Sequence, residues 1–93
     1  MLDEEAALRC AADFLAARSI LWPASNVRLI PESAFVDGIH LVVAYNSVAF
    51  LDEGEEGAEL GGNMPVRVDL EIGECQFISM IDFLDYMDRG FIE

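Results

Sequence analysis

One run of the sequence, residues 39–45, is almost wholly apolar and constrains the fold more than any other feature. The run is Ile39-His40-Leu41-Val42-Val43-Ala44-Tyr45, and Asn46-Ser47 then breaks the pattern. A half-exposed strand alternates apolar and polar residues, whereas a continuous apolar run is typical of a strand covered on both faces. We therefore expect a central strand here, covered on both faces or on one face plus a helix. Asp37-Gly38, just before it, predicts a hairpin turn.

The N-terminal residues 3–18 have the spacing of an amphipathic helix. Their apolar residues recur at helical intervals and form one stripe: Ala7, Leu8, Ala11, Phe14 and Leu15. On the opposite face, Glu5, Arg9 and Asp13 follow one another at i+4 with alternating charge. Asp3 is the expected N-cap. The helix is expected to run on towards Leu21 and must stop before Pro23.

Further segments have the character of strands. Residues 26–35 predict one strand, in which Pro31 indicates an edge or a bulge because it cannot donate to a ladder. Residues 65–71 alternate apolar and charged side chains, and residues 74–78 return as the hairpin partner after a turn at Ile72-Gly73. Residues 48–51 suit a short strand or an irregular continuation.

The C-terminal residues predict a short helix. Ser79 and Asp82 have the spacing of a capping box, and Gly90 is the expected end of the helix. Its apolar residues are Ile81, Phe83, Leu84, Tyr86 and Met87. A helix, an antiparallel sheet of three to four strands and a short C-terminal helix together predict a single α+β domain over residues 1–93.

Charge is the second constraint on the chain. It has 18 Asp and Glu residues against five Arg and no Lys, a formal net charge of −13. Five of the carboxylates lie within residues 52–59, which we call the acidic segment: Asp52, Glu53, Glu55, Glu56 and Glu59. No Arg or Lys lies between Arg28 and Arg67. Carboxylates this dense either stay in water or meet something positive, so the acidic segment is either a solvated loop or a contact surface for a basic partner.

The net charge also bounds the partners and the compartment. It disfavours nucleic acid and anionic membrane, since both are polyanions, and favours fast association with a cationic protein surface. No apolar run approaches the roughly 20 residues that span a bilayer, and the acidic residues 1–5 are unlike the basic start of a signal peptide. We therefore expect a cytoplasmic protein. Cys10 and Cys75 are too few for a disulfide scaffold and are expected to be buried free thiols.

Residues that carry chemistry are sparse. The single histidine, His40, lies inside the apolar run, where a structural or partly exposed strand residue is expected, and a pair of His40 with Cys75 across a sheet has no supporting local motif. The acidic segment fails the ligand spacing of an EF-hand calcium loop. Gly61-Gly62 is not followed by the lysine of a phosphate-binding loop. We expect no catalytic residue, no metal site and no cofactor.

Several short motifs stand in a fixed order through the middle and end of the chain. They are Phe35-x-Asp37-Gly38, Tyr45-Asn46-Ser47, Phe50-Leu51-Asp52-Glu53-Gly54, Leu60-x-Gly62-Asn63-x-Pro65-Val66 and Asp69-x-x-x-Gly73-Glu74. By their order and spacing, over residues 35–87, the chain resembles the immunity protein 35 family, also called YrhB-like. The resemblance implies a helix followed by an antiparallel sheet, in a small bacterial protein that binds and neutralises a polymorphic toxin encoded beside it. One branch of that family is described as chaperone-like.

Two functions follow as expectations. The first is an immunity protein that occludes the active site of a cognate toxin with a basic surface, using the five carboxylates of the acidic segment as a charged rim. Trp22, the lone tryptophan, is either a lid over the core or an interface anchor, a role in which tryptophan is enriched. The second is a chaperone-like acidic protein that binds unfolded chains without a single partner. An apolar edge strand near Val27 or Val48 would allow two copies to pair as a homodimer.

Overall fold

The computed structural model describes residues 1–20, 22 and 26–92 of the chain. Within these residues the fold has three α-helices and two antiparallel sheets. Helix α1 (Glu4–Ser19) comes first and helix α3 (Met80–Asp88) comes last, while the strands and a short helix α2 (Val48–Glu53) lie between them. The α+β fold predicted from the sequence is therefore confirmed. None of the helices in the described residues has the length and apolar character needed to cross a membrane.

Helix α1 has the predicted N-cap and the predicted buried face. The Asp3 carboxylate accepts a hydrogen bond from the Ala6 amide at 2.8 Å, which satisfies one of the free N–H groups of the first turn. Ala7, Ala11 and Leu15 are buried against the sheet. The helix ends at Ser19 with Ile20 as its C-cap, so it stops before Pro23 as expected but falls short of the expected extension towards Leu21.

The larger sheet places the predicted central strand in its interior. Its four strands, in the order β2-β3-β5-β6, are β2 (Phe35–Asp37), β3 (His40–Val43), β5 (Val66–Asp69) and β6 (Cys75–Phe77). The β2–β3 hairpin turns at Gly38, whose φ of 61° suits the first central position of a type II′ turn. The β5–β6 hairpin is also formed as predicted.

Strand β3 is covered on both faces, as its apolar sequence predicts. Leu41 and Val43 point to one face and belong to the main core under α1. Val42 points to the other face and packs with Ile78 and Tyr86 of a second cluster beneath α3. Leu41, Val42 and Val43 are at most 1% exposed, so this strand connects the main core with the second cluster.

The apolar run does not continue as one strand, however. After Ala44 the chain enters β4 (Tyr45–Ser47), which pairs with β1 (Val27–Leu29) in a separate two-stranded sheet. The Ala44 N–H donates to Ser33 Oγ at 3.0 Å, and the Ala44 carbonyl accepts from the Ile30 N–H at 2.9 Å. These two bonds replace the ladder contacts that a straight strand would make at this position, so the run can pass from one sheet to the other.

Two other strand predictions are wrong. Residues 26–35 do not form one strand, because a 3₁₀ turn at Pro31–Ser33 separates β1 from β2 and directs them to different sheets. Proline lacks the N–H of a ladder, and its fixed φ suits the first residue of a helical turn. Residues 48–51 begin helix α2 rather than a strand, so the suggested edge strand near Val48 does not exist.

Helix α3 is capped as predicted but buries only some of the apolar residues expected to line it. Ser79 Oγ accepts from the Asp82 N–H at 3.1 Å. Tyr86 is buried and Phe83 is half-buried, whereas three of the expected apolar residues, Ile81, Leu84 and Met87, are exposed. The apolar residues of this helix therefore divide between the core and the surface.

Candidate functional site

The acidic segment consists of the end of helix α2 and a following 3₁₀ turn at Glu56–Ala58. Gly54 separates the two with a φ of 71°. This left-handed conformation ends helices commonly and costs glycine no Cβ clash. The carboxylates of the segment are therefore displayed on defined backbone turns, which restricts the directions in which they point.

Two side chains of β4 hold the backbone around the acidic segment. The Ser47 hydroxyl accepts from the Phe50 N–H at 3.1 Å, which caps α2, and donates to the Ala58 carbonyl at 2.7 Å. Asn46 Oδ1 accepts from the Leu60 N–H at 2.8 Å. Asn46 and Ser47, which break the apolar run in the sequence, thus connect both ends of the segment to the two-stranded sheet.

Asp52, the first carboxylate of the predicted rim, is bound within the chain. Its two oxygens accept from Arg28 Nε at 2.9 Å and from Arg28 Nη2 at 2.7 Å. These hydrogen bonds hold the pKa of Asp52 below its ordinary value. The Arg28 guanidinium also donates to the Leu29 carbonyl at 2.9 Å, which fixes its orientation. Asp52 therefore stabilises the position of α2 against β1, and the partner role predicted for it stays untested.

The other four predicted rim residues are exposed: Glu53, Glu55, Glu56 and Glu59. Among residues 1–20, 22 and 26–92, no ion pair includes any of them. Their charges therefore face solvent rather than a basic group of this chain.

The arginines of the chain are all engaged elsewhere. Four of them lie in the ion pairs Arg9–Glu5, Arg28–Asp52, Arg67–Asp82 and Arg89–Asp37. The guanidinium of the fifth, Arg18, lies 4.9 Å from the ring centre of Phe14, a cation–π contact. Since the chain has no lysine, the four exposed glutamates present a negative surface that no ion pair within the described residues neutralises.

An open groove of about 790 Å³ adjoins the acidic segment. Phe35, Val42 and Phe83 are among its apolar lining residues, and the carboxylate residues Glu32 and Glu59 also line it. The groove therefore connects the end of the acidic segment with the C-terminal part of the chain. A volume of this size falls in the range of about 300–1,000 Å³ that is usual for binding pockets.

Trp22 lies against the main core. Its ring stacks on Tyr45 with centroids 5.9 Å apart, and the Phe77 ring lies 6.1 Å away. The side chain is half-buried among the residues that cover the core. This position agrees with a lid over the core, and the use of Trp22 as an anchor for a partner stays a prediction.

His40 lines a smaller polar cavity of about 120 Å³, together with Arg67, Asp69, Glu74 and Gln76. Asp69 stands directly opposite His40 in the β3–β5 register. Its Oδ1 accepts from the Glu71 N–H at 2.8 Å, so this carboxylate is used by the following turn. The described lining residues include no hydroxyl or thiol that would form a nucleophile–base pair with His40.

The two cysteines are free and half-buried. Burial raises the pKa of the Cys75 thiol, and the neighbouring Cys10 and Asp13 act in the same direction. A raised pKa lowers the fraction of reactive thiolate. Within the described residues, no three His, Cys, Asp or Glu side chains converge as metal ligands would.

Sequence reasoning missed an exposed apolar surface on α3, which we call the α3 ridge: Met80, Ile81, Leu84 and Met87. Their exposed fractions are 57%, 79%, 55% and 43%. A signal was present in the sequence, because the apolar residues of α3 are too many for one face of a helix. The groove had no such signal, since residues from distant parts of the chain line it.

No family model, curated protein or solved structure matches this chain. The resemblance to the immunity protein 35 family therefore stays a prediction.

Proposed function

We propose that the protein binds a basic surface of a partner protein and blocks it, as an immunity protein does with its cognate toxin. The observation that carries the proposal is the set of four exposed glutamates, Glu53, Glu55, Glu56 and Glu59, in a chain whose arginines are all engaged elsewhere. A negative surface of this kind accelerates encounter with a cationic partner.

The groove beside the acidic segment gives such a complex a place for an anchor. Charge steers association, but affinity depends mainly on a few side chains that become fully buried. An apolar side chain of the partner that enters the groove would meet a lining that includes Glu32 and Glu59, and basic residues next to it would complement these two carboxylates. Occlusion by contact alone needs no catalytic group in the inhibitor.

The test uses the product of the adjacent reading frame, in a catalytically inactive form, as the candidate partner. We compare Glu55→Lys/Glu56→Lys with Glu71→Lys/Glu74→Lys, which makes the same change in net charge at exposed glutamates on the β5–β6 turn. The first variant is expected to weaken binding by roughly tenfold or more at low salt, and the second to change it little. Asp52 is left intact in both because it holds α2 in place.

The salt dependence of binding completes this test. The affinity of the unchanged protein should fall as salt is raised, and that dependence should be weaker for Glu55→Lys/Glu56→Lys. Equal affinity of the two variants would exclude the acidic segment as the contact. Absence of binding to the adjacent gene product, together with failure to protect cells that express the active toxin, would reject the immunity function.

A second candidate function, a chaperone-like binder of unfolded chains, is favoured by the α3 ridge. Exposed methionines such as Met80 and Met87 adapt to many apolar partners. An aggregation assay with unrelated client proteins separates the two functions. A chaperone protects several clients, whereas an immunity protein protects against one toxin and leaves the clients unprotected.

A further inference from the structure

The α3 ridge is an exposed apolar surface for which the proposed contact through the acidic segment gives no role. Met80, Ile81, Leu84 and Met87 lie together on the outer side of a helix whose inner side is held by Phe83 and Tyr86. Single exposed apolar residues are common on proteins, but a contiguous group usually marks an interaction site. The α3 ridge is therefore a candidate interaction site, separate from the acidic segment.

The spacing of the ridge specifies the shape of that partner surface. Met80, Leu84 and Met87 are separated by four and then three residues, which is the alternation of d, a and d positions along a helix–helix seam. Side chains at this spacing form a straight row that packs into the groove between the side chains of a second helix. An extended segment, whose side chains alternate with period two, would not match the row.

The charges beside the α3 ridge indicate that the partner surface is positively charged. Asp88 occupies the position after Met87 and, among the described residues, takes part in no ion pair. The neighbouring Asp85 is paired with Arg89 at 3.1 Å. A second copy of this chain would place Asp88 against an equally acidic ridge and would bring together two chains that each carry a net charge of −13. A basic helix meets no such repulsion.

We infer that the α3 ridge binds an amphipathic helix of the partner protein, with an apolar seam that covers Met80, Leu84 and Met87 and with Lys or Arg residues beside Asp88. The inference rests on the proposed function only in taking the partner to be a protein with basic character. It adds a second contact surface, made by α3, to the acidic segment and the groove.

Synthetic peptides allow a test that does not require the natural partner. The probe is a helical peptide with leucine at heptad a and d positions and lysine at the others. One control peptide has the same composition in scrambled order, and another replaces lysine with glutamate. We expect binding of the Leu/Lys helix, with backbone amide shifts in NMR spectra centred on residues 80–88, and weaker binding of both controls.

Variants of the protein locate the contact. Met80→Ser/Leu84→Ser should weaken binding of the Leu/Lys helix by about tenfold, whereas Ile72→Ser, at a residue that is 69% exposed on the β5–β6 turn, should not change it. Leu84→Ser alone provides the test if the double variant does not fold. Equal binding of the scrambled peptide, or no loss in the ridge variants, would overturn the inference. A dimer in sedimentation that Leu84→Ser dissolves would also overturn it, because a second copy would then occupy the ridge.

The two proposals fail separately in these experiments. If the adjacent gene product does not bind but the ridge variants still lose binding of the Leu/Lys helix, the immunity function is rejected. The inference that the α3 ridge binds a helix then stands. If the ridge variants bind the peptide normally while Glu55→Lys/Glu56→Lys loses the toxin, only the inference about α3 is rejected.

Discussion

Arg28 and Asp52, which are 24 residues apart in the sequence, form a two-point ion pair that joins β1 to the end of helix α2. Both side chains are partly exposed, at 40% and 47%. Solvent therefore screens the pair, and its effect on global stability is small. Its effect on local structure is larger, because the planar guanidinium fixes the carboxylate at two atoms.

We expect Asp52→Asn to loosen α2 while the rest of the fold stays intact. The amides of residues 50–55 should exchange with solvent hydrogen faster than in the unchanged protein, because the last turn of α2 loses its connection to β1. Hydrogen exchange read by NMR measures this change. Glu53→Gln, which removes a neighbouring exposed carboxylate, serves as the control and should leave exchange unaltered. If these amides exchange as slowly in Asp52→Asn as in the unchanged protein, the ion pair does not order residues 50–55.

The Ser47 hydroxyl is expected to contribute more to stability than an ordinary N-cap. Ser47→Ala removes the cap of α2 and leaves the Ala58 carbonyl without its donor, so the free energy of unfolding should fall by about 2 kcal/mol. Ser79→Ala removes an exposed cap with one bond and should cost about 1 kcal/mol. Urea denaturation measures both values. A larger loss in Ser79→Ala than in Ser47→Ala would contradict the double role of Ser47.

Trp22→Ala should lower the free energy of unfolding by roughly 3 kcal/mol, because the ring contacts with Tyr45 and Phe77 are lost and the core below is uncovered. Trp22→Phe keeps an aromatic ring there and should lose less than half as much. Chemical denaturation followed by circular dichroism checks both variants. A stability unaffected by Trp22→Ala, with weakened binding to the partner, would instead favour the anchor role.

Asp37 should make stability depend on pH in the acidic range. The Arg89 guanidinium donates to Asp37 at 3.0 Å and holds the pKa of this carboxyl below its ordinary value of 3.8. A carboxyl with a lowered pKa in the folded state stabilises the fold above its unfolded pKa, and this stabilisation is lost as the pH falls through the folded pKa.

The variant Asp37→Asn removes that titrating group. Its deficit in unfolding free energy, relative to the unchanged protein, should be constant well above pH 3.8 and should shrink as the pH is lowered below that value. Urea denaturation at a series of pH values measures the difference. A deficit that stays the same down to the lowest pH would mean that Asp37 is not stabilised by Arg89.

Local patterns in the sequence predicted the local elements well. The cap at Asp3, the stripe of α1, the turn at Gly38 and the cap at Ser79 each depend on residues within a few positions of one another. The burial of β3 on both faces was also visible in its apolar run. These features follow from side-chain spacing and backbone preference alone.

Other features depend on contacts between residues that are distant in the sequence. The change of sheet at Ala44 requires bonds from Ser33 and Ile30, which belong to an earlier turn. The buried face of α3 packs on residues from other elements: Tyr86 clusters with Val42 and Ile78, and the Phe35 ring lies 5.1 Å from that of Tyr86. In the acidic segment, the sequence located the carboxylates but gave no means to separate Asp52, which Arg28 binds, from the four exposed glutamates.

Residues 40–47 run directly from the four-stranded sheet into the two-stranded sheet, and they pair with β2, β5 and β1 in turn. Neither sheet can separate from its neighbours without disturbing this shared segment. The two sheets should therefore unfold in one cooperative transition, and the amides of β1 and β5 should be released at the same free energy. We therefore expect the chain to unfold as a single unit, and the Asn46 and Ser47 contacts that support the acidic segment to persist until the core itself unfolds.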